Sequence, residues 1–302
     1  MRKAALLSLL LPFLTACMTP EEPAPPTALD ESVEALCVQH PGTDVCIAYA
    51  NLDTGRVWMR FGDLVLHAAS TMKIAVMYEA FRQHDAGRLD LDAPVEVRNT
   101  FESIVDGSPY ALAAADDSEK DLYEHVGARL PARELVRRMM VRSSNLATNL
   151  MVEILGPKSI QATLTSLGLR DMKVLRGVED GPAFERGLNN VATARDLMTL
   201  LREVHAGRSV TGASRAAMRE ILLGQEFNDL IPKGVPPDTA VAHKTGSITR
   251  IRHDAAIVSP VNGPAYVLVV LTRGFDDRDA AAPVITEVSR LVWMHHHPEA
   301  DE

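Results

Sequence analysis

Ser70-Thr71-Met72-Lys73 opens a segment of apolar residues at helical spacing that runs from residue 74 to residue 83. Ser70 is therefore predicted at or near the first turn of a helix. Residues three apart share one face of a helix, so Lys73 should point the same way as Ser70. A serine hydroxyl is a poor nucleophile until a base takes its proton, and a partly desolvated lysine can be that base. The stretch predicts a nucleophilic serine with its base.

Two distant motifs accompany this stretch, Ser143-Ser144-Asn145 and Lys244-Thr245-Gly246. A Ser-x-x-Lys tetrapeptide on its own indicates no more than a capped helix start. The three motifs in this order closely match a signature of class A β-lactamases and penicillin-binding proteins. The chain therefore resembles the penicillin-recognising serine hydrolase superfamily, and most of all its class A branch, from about residue 31 to residue 297.

The second motif departs from the class A pattern at its middle position, where Ser144 replaces an aspartate. The resemblance implies that Ser143 passes a proton to the leaving nitrogen and that Asn145 holds the substrate amide and the lysine. It also implies that Asn149 contacts the glutamate that drives deacylation. Without the resemblance, the two serines would be read as the N-cap of a helix.

The third motif ends a predicted strand, and its glycine lets the backbone approach a ligand closely. The resemblance implies that Lys244 and Thr245 face the substrate carboxylate, and that the N–H groups of Ser70 and Ser247 form an oxyanion hole. Two arginines follow at once, and either one can clamp that carboxylate or be an ordinary surface residue: Arg250 and Arg252.

A glutamate on the loop before residue 193 would separate hydrolysis from a stable acyl-enzyme. The residues from Glu185 to Asn189 fit the Glu-x-x-Leu-Asn pattern of class A enzymes, and Thr193 opens the next helix. The resemblance implies that Glu185 activates the deacylating water and that Asn189 helps to hold it. The loop is shorter than in typical class A enzymes, and Glu179 is a rival for the same role. Both glutamates can instead be solvent-facing loop residues.

We therefore expect a β-lactamase that acts on small β-lactams through a covalent acyl intermediate on Ser70. The alternatives are a D,D-peptidase or esterase of the same superfamily and a penicillin-binding sensor without turnover. No cofactor or metal is expected, because the sequence contains neither His-Glu-x-x-His nor Cys-x-x-Cys. The formal charge of −9 argues against a nucleic-acid partner. Without a Gly-x-Ser-x-Gly elbow, the histidines near the motifs are expected in core or surface roles.

The N-terminus predicts export and lipidation. Residues 1–16 place an apolar run, too short to span a bilayer, after two basic residues, as in a signal peptide. Leu14-Thr15-Ala16-Cys17 resembles a lipobox, with the lipid on Cys17. Residues 17–30 are rich in proline and indicate a stiff linker. We expect a monomer in the periplasm, anchored by its lipid to the outer membrane of a bacterium.

Cys37 and Cys46 remain as an even pair in an oxidising compartment. They flank a Pro-Gly turn between a predicted helix and a predicted strand, which suits a disulfide. Two buried free thiols are the alternative.

Strand patterns lie at both ends of the mature chain, and helical patterns occupy its middle. We predict a mixed α/β fold whose antiparallel sheet is built from residues 31–69 and 238–297. The first and last helices flank this sheet, and an all-helical part, residues 70–237, is inserted. The class A resemblance implies the same fold. Residues 88–130 are polar and irregular, and the acidic run within them is interpreted as a solvated loop.

Overall fold

The computed structural model describes residues 27–297, so the predicted signal peptide, Cys17 and most of the linker lie outside the described residues. The α-helices are α1 (Ala28–Cys37), α2 (Lys73–Asp85), α3 (Ala132–Val141), α4 (Asn145–Leu155), α5 (Pro157–Ser166), α6 (Gly181–Glu185), α7 (Ala194–Ala206), α8 (Gly212–Leu223) and α9 (Ala281–His296). The strands are β1 (Asp44–Asn51), β2 (Val57–Arg60), β3 (Leu66–His67), β4 (Pro94–Glu96), β5 (Phe101–Glu102), β6 (Pro109–Tyr110), β7 (Arg129–Pro131), β8 (Val191–Ala192), β9 (Ala240–Ile248), β10 (Ile251–Ser259) and β11 (Tyr266–Arg273). Between residues 27 and 297, no helix is both long enough and apolar enough to cross a bilayer.

Five strands form the central antiparallel sheet in the order β2-β1-β11-β10-β9. β1 and β2 precede the helices of the middle part and β9 to β11 follow them, so the sheet closes only when two distant parts of the chain meet. β1 pairs with β11 over its whole length, from Asp44 opposite Arg273 to Asn51 opposite Tyr266. The predicted fold class, an antiparallel sheet from both chain ends with inserted helices, is confirmed.

The sheet is buried on both faces, which explains why its strands read as nearly continuous apolar runs. Side chains alternate between the two faces along each strand. On β11, Val267 and Val269 pack against a core that includes α2 and α7. Leu268 and Val270, between and beside them, pack against α1 and α9. The sheet therefore separates two hydrophobic cores.

The two cysteines are buried, and both thiols are free. Cys37 ends α1 and belongs to the core on the side of α9, whereas Cys46 of β1 belongs to the core on the side of the middle helices. Burial raises the pKa of the Cys46 thiol to about 12. The predicted disulfide is wrong, because the Cys46 side chain leaves β1 on the face opposite to α1.

Residues 88–130 include side chains that are more deeply buried than the polar composition of this segment predicts. Within the acidic run, Asp117 and Glu119 are only 3% and 2% exposed. Glu119 pairs with Arg138 of α3 at 2.6 Å, and Asp117 contacts the first turn of α4. The interpretation of this run as a solvated loop is wrong for these two residues, because each carboxylate is itself buried and bonded to a partner from the middle helices.

Candidate active site

Ser70 lies in a single 3-10 turn, Ala69–Met72, that leads directly into α2. This agrees with its predicted position at the first turn of a helix. The turn is anchored where the N–H of Ala68 donates to Asn190 O at 2.9 Å. Ala69 has a φ of +45°, in the left-handed region that residues with a side chain rarely adopt. The chain is therefore bent sharply immediately before the nucleophile.

Gly246 lets the third motif come close to this turn. A Cβ atom at this position of β9 would lie 3.1 Å from Ser70 N and 3.2 Å from Ala69 Cβ. Both distances are shorter than ordinary van der Waals contacts, so a larger residue would push β9 away from Ser70. Thr245 and Ser247, on either side of the glycine, line the same cleft as Ser70.

Lys73 is fully buried and bonded to the second motif. Its Nζ donates to Ser143 O at 2.7 Å, to Ser143 Oγ at 3.2 Å and to Asn145 Oδ1 at 2.9 Å. Burial lowers the pKa of Lys73 to about 7, against the opposing charges of Asp117 and Glu179. An amine with this pKa is partly neutral at neutral pH and can accept a proton.

Lys244 is the second fully buried amine of the site. Its Nζ donates to Thr245 O at 3.0 Å. Its pKa is lowered well below the usual value, first by burial and then by the charge of Lys73, while Asp254 acts in the opposite direction. A buried cation is costly without a partner, so an anion bound beside Lys244 would stabilise its charged form.

The second motif forms the turn that starts α4. Ser143 has a φ of +59°. Ser144 is the N-cap, and its hydroxyl accepts a hydrogen bond from the N–H of Ala147 at 3.2 Å. Asn145, the first helical residue, donates through Nδ2 to Glu179 Oε1 at 2.8 Å. Because its Oδ1 also holds the lysine, Asn145 connects that amine to the glutamate.

The three motifs meet at a cleft of about 610 Å³. Arg252 lines this cleft, and its guanidinium is bonded to Asp229 and Asp279. Arg250 is exposed, and its guanidinium donates to Gly274 O at 2.8 Å instead. Of the two predicted arginines, the structure brings only Arg252 to the site, because the backbone turn at Arg250 directs its side chain toward the end of β11.

Glu185, predicted as the deacylating base, does not reach the cleft. It is the last residue of α6, and its side chain is exposed to solvent. Glu179, the rival, has a φ of +62° and is bonded to Asn145. Burial raises the pKa of Glu179, whereas the hydrogen bond from Asn145 lowers it. The Glu185 assignment is therefore corrected, since Glu179, and not Glu185, is connected to Lys73 through Asn145.

Asn149 of α4 holds the loop that carries Glu179 against this helix through two hydrogen bonds. Its Oδ1 accepts the N–H of Val178 at 2.6 Å, and its Nδ2 donates to Val178 O at 3.0 Å. Gly177 makes this contact possible, because a Cβ atom there would lie 2.5 Å from Asn149 Oδ1. The contact that the resemblance implies for Asn149 is thus found at the residue before Glu179, and not near Glu185.

Asn190, which the sequence pattern does not single out, holds the other end of this loop. It is buried, and its Oδ1 accepts the N–H groups of Leu175 at 2.8 Å and Arg176 at 3.3 Å. Its Nδ2 donates to Arg176 O at 2.9 Å. Asn189, predicted to hold a water molecule, accepts a hydrogen bond from the Arg176 guanidinium at 3.3 Å. Asn189 therefore supports the loop itself.

The histidines near the motifs have structural partners, in agreement with the expected core or surface roles. His67 Nδ1 accepts the N–H of Ala69 at 3.0 Å. His253 is bonded to His67 O at 2.9 Å, and His243 is bonded to Asp254 at 2.9 Å. Burial lowers the pKa of His253 to about 4, so this ring stays neutral at physiological pH.

Backbone strain is concentrated at the site. In the part of the chain from residue 27 to residue 297, five non-glycine residues have a left-handed φ. Three of them belong to the site: Ala69, Ser143 and Glu179. Each such conformation costs of order 1–3 kcal/mol and persists only where the surrounding structure imposes it. The strain supports the assignment of function to these three turns.

This architecture is the fold of the penicillin-recognising serine β-lactamases and their relatives. The sequence model of the beta-lactamase enzyme family matches residues 28–296, and the chain belongs to that family.

Solved structures with similar folds include PBP-A, with a TM-score of 0.77 and 27% identity, covering 89% of this chain and 96% of that chain. An ancestral class A β-lactamase of Gram-negative bacteria has a TM-score of 0.78 and 25% identity, covering 90% of this chain and 100% of that chain. A point mutant of PBP-A is described as an acyl-enzyme complex with penicillin G. It has a TM-score of 0.75 and 27% identity, covering 88% of this chain and 95% of that chain.

Curated relatives are also β-lactamases. One from Rhodobacter capsulatus is 25% identical over 266 residues, 87% of this chain and 85% of that protein. One from Stenotrophomonas maltophilia is 28% identical over 173 residues, 55% of this chain, and the match spans only 57% of that relative's length. The identities are low, and the shared family and the names of these relatives support β-lactam hydrolysis as the activity.

Asp117 is, with Asn190, a residue supporting the site that the sequence motifs do not identify. Its carboxylate accepts the N–H groups of Asn145 and Leu146 at the start of α4. A signal for it existed in the second motif, where Ser144 replaces an aspartate. The loss of a carboxylate at a helix N-terminus is a reason to search for another acid elsewhere in the chain.

Proposed function

We propose that this chain hydrolyses β-lactams through a covalent acyl intermediate on Ser70. The observation that carries the proposal is the buried amine of Lys73, with a pKa of about 7, held by Ser143 and Asn145 beside the Ser70 turn. The similarity to PBP-A, a point mutant of which is described as an acyl-enzyme with penicillin G, supports acyl transfer at this cleft.

In the proposed acylation, Ser70 Oγ attacks the lactam carbonyl while neutral Lys73 takes its proton, directly or through a water bound to Glu179. The N–H groups of Ser70 and Ser247 stabilise the oxyanion. When the amide C–N bond breaks, the hydroxyl of Ser143 donates its proton to the nitrogen and is reprotonated by Lys73, 3.2 Å away. Lys244 and Arg252 bind the substrate carboxylate.

In the proposed deacylation, Glu179 takes a proton from water as the water oxygen attacks the ester carbonyl of Ser70. The acyl C–Oγ bond then breaks, and the proton returns from Glu179 to Ser70 Oγ. Glu179 suits this role because burial raises its pKa, which makes the carboxylate a better base. The carboxylate accepts a hydrogen bond from Asn145 Nδ2, and Oδ1 of the same side chain accepts one from Lys73, so Asn145 links the two groups.

Glu179→Gln tests the proposal. The substitution keeps the size of the side chain and removes the carboxylate that accepts the proton. We expect the variant to be acylated at Ser70 by a penicillin and to keep the adduct, with turnover of a chromogenic cephalosporin reduced roughly a hundred- to ten-thousand-fold. Intact-protein mass spectrometry should show the mass of the drug added to the protein.

Glu185→Gln is the matched control, and it should turn over within a few-fold of the wild type. Ser70→Ala should form no adduct. An adduct on any other serine, or trapping by Glu185→Gln and not by Glu179→Gln, would contradict the proposed roles.

The similarity to PBP-A favours a second candidate, a penicillin-binding protein that is acylated and does not turn over. The same experiment separates the two candidates. A wild-type protein that keeps the adduct after one equivalent of drug is of the second kind, and steady release of product is hydrolysis.

We also propose that the protein acts in the periplasm as a lipoprotein, on the basis of the lipobox that ends at Cys17. Cys17→Ala should abolish labelling by a fatty-acid probe and release the protein from the membrane fraction. Continued membrane association of a processed Cys17→Ala protein would contradict this proposal.

A further inference from the structure

Asp117 holds the first turn of α4 from outside that helix. The residue is 3% exposed. Its Oδ2 accepts hydrogen bonds from the N–H of Asn145 at 2.9 Å, the N–H of Leu146 at 3.1 Å and the hydroxyl of Tyr123 at 2.9 Å. Its Oδ1 accepts the N–H of Glu119 at 3.1 Å. The carboxylate thus satisfies two N–H groups that the start of a helix leaves without an intrahelical partner.

Ser144 and Asp117 divide the capping of α4 between them. The Ser144 hydroxyl accepts only the N–H of Ala147, the third helical residue. Asp117 accepts the N–H groups of the first two, and its negative charge complements the positive end of the helix dipole. Ser118, the next residue in the chain, fastens the segment by donating to Arg142 O at 2.8 Å. The first turn of α4 is therefore capped by two residues that are distant in the sequence, Asp117 and Ser144.

We propose that Asp117 is a positioning residue for the reaction at Ser70, an inference that rests on the proposed function. By fixing the first turn of α4, Asp117 holds the oxygen atoms of Ser143 and Asn145 around Lys73. Through its buried charge it also sets how readily Lys73 gives up its proton. Asp117 acts through this turn and through its electric field, not by contact with the substrate.

The charges around Lys73 give the direction of the expected effect. Burial is the largest influence on the pKa of Lys73 and lowers it to about 7, whereas the negative charges of Asp117 and Glu179 oppose this change. Lys244 of β9 has its own pKa lowered first by burial and then by the charge of Lys73. Two further titratable groups face Asp117 itself: Tyr123 and Glu119. Loss of the Asp117 charge should therefore lower the pKa of Lys73 further.

The test is the pH dependence of acylation in Asp117→Asn, measured as the second-order rate of labelling by a fluorescent penicillin. We expect the rate at pH 7 to fall roughly ten- to a hundred-fold, because a looser turn misplaces the groups around the lysine. The acid limb of the profile should also move to lower pH, because Lys73 is deprotonated more readily. A residue that only supported the fold would change the rate and leave this limb in place.

Asp121→Asn is the matched control. Asp121 belongs to the same acidic run, its side chain is 65% exposed, and it pairs with Arg142 at 3.0 Å. Removal of this charge should leave both the rate and the acid limb within the error of the wild type.

A second measurement does not depend on activity. The sequence contains seven lysines, so NMR of protein with ¹³C-labelled lysine can follow the titration of Lys73, assigned by the signal missing from Lys73→Arg. In Asp117→Asn this titration should move to lower pH. The double variant Asp117→Asn/Ser144→Asp returns a carboxylate to the same turn, and it should restore both the titration and the acid limb.

The outcomes are distinct. A folded Asp117→Asn protein with an unchanged Lys73 titration and acid limb overturns the proposal. If Asp117→Asn does not fold, the double variant decides: recovery of folding and acylation supports the proposal, and failure of either overturns it. If the wild type is not labelled at Ser70, the proposed function has failed, whereas the NMR titration still tests the effect of Asp117 on Lys73.

Discussion

At the scale of single residues, one methyl group added at Gly177 should displace the loop that carries Glu179 and slow deacylation. The Cβ atom of Gly177→Ala would lie 2.5 Å from Asn149 Oδ1, so the clamp on Val178 must open. A displacement of about 1 Å can cost roughly a hundred-fold in rate. We expect steady-state turnover of a chromogenic cephalosporin to fall by about that factor, while rapid-quench measurements show acylation close to the wild type.

Gly181→Ala is the control for this prediction. It lies four residues further along the chain, at the first residue of α6, and apart from its chain neighbours and the backbone of its own helix no heavy atom lies within 4 Å of its added Cβ. It should turn over within a few-fold of the wild type. Equal turnover by Gly177→Ala and Gly181→Ala would show that the position of Glu179 does not depend on the clamp.

At the scale of elements, α1 and Cys46 lie on opposite sides of β1, which predicts that the two thiols stay free in an oxidising medium. A bridge across so short a loop would stabilise the protein by roughly 2–3 kcal/mol, and reduction would then lower the Tm by several degrees. We expect alkylation of unfolded, unreduced protein to modify both Cys37 and Cys46, and the Tm to be the same with and without reductant. A mass two hydrogens lower, with a Tm that falls on reduction, would contradict the structure.

The elements also show what the sequence can and cannot predict. Amphipathic periodicity identifies the middle of the chain as helical, because burial repeats along helices such as α3 and α8. The motifs locate Ser70 and Lys73, since residue spacing on one helix fixes their relation. The loop that carries Glu179 follows no such period. Its shape depends on hydrogen bonds from distant side chains such as Asn149, so a five-residue pattern placed the glutamate at the wrong position.

At the scale of the whole molecule, the closure of the sheet from both chain ends determines the charge of the cleft. β10 brings Arg252 to the cleft, but the segments before β9 and before α9 bring Asp229 and Asp279 against its guanidinium. Asp116 and Glu226 add two more acids to the lining. An anionic substrate must therefore compete with carboxylates of the protein for the only arginine among the lining residues that the structure describes.

The last prediction follows from this competition. Asp279→Asn should free Arg252 and increase kcat/KM for a penicillin with a second carboxylate by roughly two- to five-fold, the range expected for a partly exposed ion pair. A penicillin with an ammonium on its side chain should gain less, because it loses an attractive charge. The control is Asp276→Asn, which removes the same charge from a fully exposed side chain outside the cleft. The difference between the two variants should disappear in 1 M salt, where the Debye length is about 3 Å. A gain that survives 1 M salt, or an equal gain in Asp276→Asn, would show that Asp279 does not restrain Arg252 electrostatically.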